Sequence, residues 1–506
     1  MRTSISRPGR VLNWAAAAVL ASLAPLASSA LAATTHACPT WSSSATYVGG
    51  QYVRLAGQAY RANWWTQDNP GTANGPSGSG QPWTKVAATA CKDATTPVTP
   101  VTPTPAPPPA SAPASAPKPT PTPSPASTPA PTPVTPTGAL GLSATQGGRV
   151  YTGYYESWSS PWFDATGKTP EQVYKATSFA RIPATYTHVM VAFADPNFHW
   201  SGLAANSWTG TGIGFSSTPA DIKAAIQVLH QRNIKVLLAV GGATYGDWSP
   251  LAAEGAAGSG PITTALAKAM TDLGFDGLDV DYEADADVDR LANAIRAMRN
   301  AVNLAGGGRI LSTATWSTGA DCTAATANDA GCAGKVSYWG GNAGRERQLA
   351  SHRPDAVAAL DLVNVMTYDA RYEHYDAVLA YQEYRALFGA KTIVSIGLES
   401  APEGWAGGLL VVRNGDAQCQ GSRILQDQYG KNLDQPYSVE RLLAGVTSYT
   451  GANRNPRDGA MLWSIQKHAS GLCGAAPLAS PGTIGHQVST QLSLPDDATL
   501  SNADFR

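Results

Sequence analysis

Charged residues are scarce in this chain of 506 residues, since Asp, Glu, Lys and Arg make up only 14% of it. The formal net charge is −1, so no surplus of either sign attracts nucleic acid or an anionic membrane. Phe is also rare, with 8 residues against 14 Trp and 19 Tyr. Trp and Tyr combine a flat apolar face with a hydrogen-bonding edge, which suits ligands of mixed polarity. We therefore expect no nucleic-acid partner and no membrane partner.

Several common catalytic and metal-binding patterns are absent from the sequence. It contains no Gly-x-Ser-x-Gly, no His-Glu-x-x-His and no Cys-x-x-Cys, so a serine, cysteine or zinc hydrolase lacks support. The run Gly210-Thr-Gly212-Ile-Gly214 follows no predicted strand and opens no predicted helix, which favours a loop over a dinucleotide site. We expect neither a cofactor nor a metal.

Residues 1–32 have the pattern of a secretory signal. Three arginines come first, an apolar stretch runs from Val11 to about Pro25, and Ala30-Leu31-Ala32 forms a small-x-small cleavage site. The stretch is too short and too interrupted for a membrane span. The sequence predicts a secreted protein.

Export makes disulfides possible, and the chain has six cysteines. Six allow fifteen pairings, among which sequence alone does not choose. We expect the pairings that close a loop within one region, which are Cys38–Cys91, Cys322–Cys332 and Cys419–Cys473.

Composition divides the rest of the chain into four segments. Residues 94–138 are almost wholly Pro, Thr, Ala and Ser, which cannot bury a core, so they form an extended linker. A small region, 36–93, precedes the linker, and a large domain, 146–480, follows it. Residues 481–506 carry no recognisable motif and form a C-terminal tail.

The small region is rich in aromatic residues and has short strand-like runs between Gly-rich turns, so we expect an all-β module. Its pattern is Tyr47-x-x-Gly50-x-x-Val53-x-x-x-Gly57-x-x-Tyr60-x-Ala62-x-Trp64-Trp65-Thr66-Gln67, ending in Trp83. This resembles the small chitin- and cellulose-binding modules of carbohydrate-binding families 5 and 12. The resemblance implies a chitin-binding face made by Trp41, Tyr60, Trp64 and Trp65. For Tyr60 and Trp83, a place in the core is equally open.

The large domain alternates strand-like runs with helical patterns. There are eight such runs: Val150–Tyr155, Thr187–Ala194, Lys235–Gly241, Gly277–Glu283, Ile310–Trp316, Leu362–Asp369, Thr392–Leu398 and Gly459–Ile465. Thr218 and Pro219 form a helix start, and Val288, Leu291, Ile295, Met298 and Val302 share one helical face. The pattern predicts an α/β fold, a (β/α)8 TIM barrel with its active site at the carboxyl ends of the strands. An open doubly wound sheet is the alternative.

The fourth strand carries a ladder of acids. Side chains alternate along a strand, so Asp279, Asp281 and Glu283 share one face, which we expect to point into the barrel. Buried carboxylates are costly, and close like charges raise at least one pKa, so that a proton is shared. A carboxylic acid of raised pKa at the barrel mouth is the proton donor that a glycosidic oxygen needs. A magnesium or calcium site is the alternative, without a supporting ligand-rich loop.

The pattern Asp-x-x-Asp-x-Asp-x-Glu resembles the signature of family 18 glycoside hydrolases, the chitinase family. Similar motifs follow the family order over about residues 148–470, namely Gly153-Tyr154-Tyr155, Val240-Gly241-Gly242, Met366-Thr367-Tyr368-Asp369 and Trp463. The resemblance implies substrate-assisted retaining hydrolysis by the catalytic set Glu283, Asp281, Asp279, Asp276, Tyr368 and Asp369. Glu283 would be the acid and the base, Asp281 would hold the acetamido N–H, and Tyr368 would bind the acetamido oxygen. The implied substrate-binding residues are Tyr154, Phe193, Gly241, Gly242, Met366 and Trp463.

Two departures from the family pattern affect the expected site. Ala239 stands where the family often has a Ser that would satisfy the deepest Asp, and Tyr154 could take over part of that role. The family's small insert between strands seven and eight is not recognisable, which predicts a shallow, open cleft and internal (endo) cleavage. Six Trp residues in or near strand-end loops could line sugar subsites or pack under loops: Trp158, Trp208, Trp248, Trp316, Trp339 and Trp405.

The leading hypothesis is a monomeric, secreted chitinase acting on chitin and chito-oligosaccharides. The same barrel chemistry fits an endo-β-N-acetylglucosaminidase that acts on N-glycans or peptidoglycan. A non-catalytic chitin-binding lectin is a third hypothesis, although such proteins typically lose the acid that Glu283 provides here.

Overall fold

The structure is a computed structural model of the chain. It describes residues 36–42, 52–62, 69–75, 83–88, 91–92, 140, 142–145, 147–324, 326–329, 332, 337, 339, 344–399, 431–435, 437–467 and 481–497. The predicted signal and linker, Trp64, Trp65, Trp405, Cys419 and Cys473 lie outside these residues. No helix in the described part of the chain is both long and apolar enough to cross a bilayer.

The small N-terminal region is a β-structure. Its strands are β1 (His36–Ala37), β2 (Tyr52–Leu55), β3 (Gln58–Ala62), β4 (Asn74–Gly75), β5 (Trp83–Val86) and β6 (Cys91–Lys92). Four of them form one sheet in the order β2-β3-β5-β4, and β1 pairs with β6. The Cys38–Cys91 disulfide is confirmed and links the two ends of the region.

Tyr60 belongs to the core of this small sheet. It is 5% exposed and packs with Val53, Ala62 and Trp83, which are fully buried. The prediction that Tyr60 lies on a binding face is therefore wrong, because its ring packs among these core residues. Trp41 packs against the same core and is only partly buried.

The large domain is a closed barrel of eight parallel strands, which confirms the predicted fold. The barrel strands are β7 (Tyr151–Glu156), β8 (His188–Ala194), β9 (Lys235–Gly241), β10 (Gly277–Asp281), β11 (Ile310–Thr315), β12 (Leu362–Val365), β13 (Ile393–Glu399) and β14 (Gly459–Trp463). Each strand pairs with its neighbours in the sequence, and β14 closes the barrel against β7. The predicted motif Met366–Asp369 lies just beyond the end of β12, at the barrel mouth.

Helices cover the outside of the barrel. They are α1 (Pro170–Ala176), α2 (Pro219–Gln231), α3 (Ser249–Ala257), α4 (Pro261–Leu273), α5 (Val288–Leu304), α6 (Arg345–His352), α7 (Pro354–Ala358), α8 (Ala377–Leu387), α9 (Val439–Thr447) and α10 (Pro481–Leu492). The start of α2 is as predicted, because Thr218 caps the helix in a reciprocal hydrogen-bonded box with Asp221 and Pro219 occupies the first turn.

The domain boundary predicted at residue 480 is wrong. Helix α10 lies beyond it, and Ile484 and Val488 are part of the barrel's hydrophobic core. Asp497 forms a buried ion pair with Arg232 at 3.1 Å between Oδ2 and Nη2. The apolar residues Ile484, Val488 and Leu492 have helical spacing, a signal that the sequence analysis did not use.

Candidate active site

The acid ladder lies inside the barrel, as the strand alternation predicted. Asp279 is level with Ala239 and Ser312 on the neighbouring strands, and Asp281 is level with Gly241 and Ala314. Both aspartates are buried, whereas Glu283 follows the end of β10 and is partly exposed. The carboxyl groups therefore rise from a closed interior toward the open mouth.

Two hydroxyl groups hold Asp279. The Tyr154 hydroxyl donates a hydrogen bond to Asp279 Oδ2 at 2.7 Å, and the Ser312 hydroxyl donates to Oδ1 at 2.5 Å. Ser312 on β11 thus donates to Asp279 the hydrogen bond that a serine at position 239 would donate from β9, the strand on the other side of β10. Burial raises the pKa of Asp279 to about 6, although both hydrogen bonds lower it.

Asp281 lies between two other acids. Burial raises its pKa well above the usual range, and the charges of Glu283 and Asp279 raise it further, while Arg345 opposes them. Its Oδ1 is buried and has no hydrogen-bond partner among the described residues. A buried carboxyl group of raised pKa beside a second one favours a shared proton, as the sequence predicted.

The backbone next to Tyr368 is tied to the neighbouring strand β13. The Thr367 hydroxyl donates to the Gly397 carbonyl, and the Gly397 amide donates to the same hydroxyl oxygen, both at 2.8 Å. A Cβ at Gly397 would come within 3.0 Å of the Tyr368 ring. Burial raises the pKa of Tyr368, and nearby carboxylates, among them Asp281, raise it further, so its hydroxyl stays protonated and can donate.

Trp463 forms an aromatic wall with two other predicted residues. Its ring stacks on Phe193 with centroids 5.7 Å apart, and it meets Tyr154 edge-on at 5.8 Å. On the outer side, Phe193 stacks on Trp158 at 6.1 Å, and Trp158 is 52% exposed. The wall leads from the buried ladder to the surface.

The pair Gly241-Gly242 closes the site on the side of β9. A Cβ at Gly241 would overlap the Asp281 carbonyl and the Trp248 ring, and a Cβ at Gly242 would come within 2.7 Å of the Phe193 ring. Both glycines have positive φ angles, 109° and 74°. Glycine is therefore required where this turn passes between the ladder and the aromatic wall.

Comparison with known proteins finds similarity over part of the chain. Residues 150–395 match the family model described as Glycosyl hydrolases family 18. This segment of the barrel is therefore similar to that family. The chain is similar to Chitinase 1 of Aphanocladium album, 33% identical over 104 residues, and to Endochitinase 1 of Metarhizium robertsii, 28% identical over 127 residues.

These alignments are partial. They cover 20% and 23% of this chain, and 23% and 30% of the two relatives, so the chain matches less than a third of each relative's length. Among solved structures, a family 18 chitinase from Chromobacterium violaceum superposes with a TM-score of 0.40 at 16% identity. That superposition covers 90% of this chain and 100% of the other.

One residue of the predicted catalytic set does not lie at the mouth of the barrel. Asp276 precedes β10 at the amino end of the barrel, opposite to the mouth where Glu283 lies. Its carboxylate accepts hydrogen bonds from Lys235 Nζ at 2.9 Å and from the Val236 amide at 2.8 Å, and it contacts His230 Nε2 at 2.8 Å. The structure thus corrects its predicted catalytic role, because these bonds tie strand ends together far from the chemistry.

The other predicted catalytic and substrate-binding residues of the barrel lie toward its mouth. Asp369 directly follows Tyr368, and the Met366 amide donates to the Thr315 carbonyl at 2.9 Å. Trp248 is fully buried against Tyr282, so it packs under a loop and lines no cleft. The Cys322–Cys332 disulfide in the loop after β11 is confirmed.

Sequence reasoning missed three residues of this site region. Ser312 and Arg345 act on the ladder from other elements, and no local pattern marked them. Trp162 is 67% exposed on the loop after β7, where the run Trp158-Ser-Ser-Pro-Trp162 could have marked it as a second surface aromatic.

Proposed function

We propose that this chain is a chitinase, hydrolysing β-1,4-linked N-acetylglucosamine polymers. The observation that carries the proposal is the row of acids Asp279, Asp281 and Glu283. Asp279 is buried and hydrogen-bonded at the lower end of the row, and Glu283 is partly exposed at the mouth. The family 18 match over the same segment and the similarity to proteins named as chitinases support the substrate class.

The proposed reaction proceeds through the substrate's own acetamido group. The acetamido carbonyl oxygen attacks C1 as the C1–O glycosidic bond breaks, and Glu283 gives its proton to the leaving oxygen. Asp281, whose Oδ1 is buried without a partner among the described residues, accepts a hydrogen bond from the acetamido N–H and stabilises the positive oxazolinium ion. Tyr368 donates to the acetamido oxygen. Water then attacks C1 and gives its proton to Glu283, while the bond between C1 and the acetamido oxygen breaks and the acetamido group is restored, so that the β-configuration is retained.

Asp279 supports this cycle from below. The two hydroxyl donors stabilise the ionised form of Asp279. Burial and the repulsion between Asp279 and Asp281 favour a proton on one of these two carboxyl groups. A proton can therefore move between Asp279 and Asp281 as charge builds on the substrate above them. Trp463 supplies the apolar face against which the reacting sugar stacks.

The proposal extends to the way the whole protein works. We infer that it is secreted, that it cuts internally, and that residues 36–93 hold it on insoluble chitin as a monomer. The exposed rings of Trp158 and Trp162 support a polymer as substrate, since an aromatic surface continues outward from Trp463 through Phe193. The linker would raise the local concentration of chain ends and internal bonds around the barrel.

The test is hydrolysis of a chitin hexamer by the full chain, with the anomer of the new reducing end read by NMR at early times. We expect the β-anomer from wild type and a loss of more than about 100-fold in rate for Glu283→Gln. Mixed internal products would support endo cleavage. Chitin binding without cleavage would leave the lectin hypothesis, and cleavage of N-glycans or peptidoglycan alone would favour the glycan-trimming hypothesis.

A further inference from the structure

We propose that Arg345 is a positioning residue for the general acid, holding the backbone on both sides of Glu283 and placing a positive charge beside the acid ladder. The inference deepens the proposed function and rests on it. Arg345 is the first residue of α6, far from Glu283 in sequence, and its side chain is 1% exposed.

Two hydrogen bonds join Arg345 to the segment that carries the acid. Nη1 donates to the Tyr282 carbonyl at 2.9 Å and to the Asp285 carbonyl at 3.3 Å. These carbonyls flank Glu283, which lies beyond the last residue of β10. The guanidinium therefore fixes a short loop whose position sets where the acidic proton points.

The guanidinium itself is held on two sides. Its Nε donates to Glu346 Oε1 at 2.9 Å, and Nη2 contacts the same oxygen. Its carbon lies 3.6 Å from the centroid of the Trp316 ring, in a stacked cation–π contact. A planar fork is needed to meet all of these partners at once, and the ammonium group of lysine cannot do so.

Arg345 also faces the ladder electrostatically. The groups acting on Asp281 are Glu283 and Asp279 from the same strand region, Tyr154 from β7, Tyr368 from the end of β12, and Arg345. Of these, Arg345 is the positive one, and it lowers the pKa of Asp281 against the effect of burial. Because Glu346 is paired with it, the charge that reaches Asp281 is partly compensated.

The experiment compares Arg345→Gln and Arg345→Lys in the full chain on two substrates. A chitin hexamer has a poor leaving group that needs the proton of Glu283, whereas an aryl chitobioside with an acidic phenol depends on it much less. We expect R345Q to lose about 100-fold in kcat on the hexamer but about 10-fold or less on the aryl substrate, with KM little changed. R345K should show the same imbalance between substrates to a smaller degree.

The dependence of activity on pH separates the effect of the Arg345 charge from the effect of its hydrogen-bond geometry. Without the positive charge, the pKa of Asp281 rises, so the acidic limb of the R345Q profile should move to higher pH. R345K keeps the charge, and its limb should stay near that of wild type. Glu346→Gln should move the limb to lower pH, because it removes the negative charge that compensates Arg345 and leaves the two carbonyl bonds in place. This variant also keeps the test decisive if R345Q does not fold.

The matched control is Arg353→Gln, which removes an exposed arginine paired with Asp289 and should leave both substrates unaffected. The proposal would be overturned if R345Q lost kcat equally on both substrates and if the acidic limbs of the R345Q and E346Q pH profiles stayed at the wild-type position. Arg345 would then have a purely structural role. Failure of wild type on both substrates would instead refute the proposed function. The two failures are therefore distinguishable.

Discussion

At the scale of single residues, the ladder places a carboxyl group where its ionisation costs stability. Burial raises the pKa of Asp279 to about 6, above the value of an exposed aspartate. A group of this kind stabilises the fold fully below its unfolded pKa, and the contribution is lost as the pH rises through the folded pKa. The same raised pKa is what lets Asp279 exchange a proton with Asp281, so the site gives up stability for its chemistry.

Asp279→Asn should therefore be more stable than wild type at pH 8 but not at pH 4. The neutral amide removes the cost of burying a carboxylate, which from the shift in pKa is up to about 3 kcal/mol and develops between about pH 4 and pH 6. Urea unfolding at several pH values measures this gain, and chitin-hexamer hydrolysis should fall at the same time.

Asp276→Asn is the matched control and should behave in the opposite way. Burial alone would raise the pKa of Asp276, but the hydrogen bond to His230 and the charges of His230 and Lys235 outweigh it and lower the pKa. Its carboxylate thus stabilises the fold above its unfolded pKa, and D276N should be less stable than wild type at pH 8. A gain at pH 8 in both variants would contradict the assignment of opposite roles to these two acids.

At the scale of the element, the end of β9 shows how a short turn sets the geometry of the site. Gly241 and Gly242 pass between the Asp281 carbonyl and the rings of Trp248 and Phe193, with no room for a side chain. The Gly242 amide also donates to the Asp281 carbonyl at 2.9 Å, which joins the turn to the ladder strand. The position of Asp281 thus depends on two residues that have no functional group.

Gly241→Ala should lower both stability and activity, whereas Gly246→Ala in the following loop should change neither. A methyl group at Gly241 overlaps the Asp281 carbonyl at a φ of 109°, while at Gly246 nothing lies within 4 Å of the added atom. We expect a loss of about 2–4 kcal/mol in the free energy of unfolding for G241A and a fall in kcat. Thermal unfolding and hexamer kinetics measure both, and a G241A enzyme as active as G246A would contradict the role of this turn.

The sequence predicted the features that depend on interactions between residues close in the chain, and it missed those that depend on contacts between distant elements. The barrel and the inward face of Asp279 and Asp281 were predictable, because alternation along a strand and helical periodicity are local signals. Asp276 was assigned to the site only because it belongs to the motif. It lies before β10, at the end of the strand opposite to the mouth. Ser312 and Arg345 were out of reach, because each meets the ladder from an element whose contact exists only after the barrel closes. Tyr60 was ambiguous, because alternation does not say which face of an isolated sheet is covered.

At the scale of the whole barrel, Arg232 connects the two ends of the domain at the face opposite the mouth. Its Nε donates to the Leu142 carbonyl at 3.2 Å, near the start of the domain, and its Nη2 meets Asp497, near the end of the chain, at 3.1 Å. Nη1 donates to the Ile182 carbonyl at 2.6 Å, just before β8. Residues at the amino ends of barrel strands serve stability, while the opposite face carries function.

Asp497→Ala should therefore destabilise the barrel without changing the proposed activity. The change leaves Arg232, which is 1% exposed, as a buried charge without its counter-ion, and the Ala184 amide loses the hydrogen bond that Asp497 Oδ2 accepts at 2.9 Å. Breaking a buried pair in this way costs about 3–5 kcal/mol. Asp496→Ala is the matched control, because the Asp496 carboxylate is exposed and pairs with His486 at the surface. Such a surface pair contributes about 1 kcal/mol at most to stability. Urea unfolding should separate the two variants by at least about 2 kcal/mol, while both keep the wild-type kcat on the hexamer at 25 °C. Equal stability of D497A and D496A would show that the chain end contributes little to the barrel, and a loss of kcat in folded D497A would show that this face is coupled to the active site.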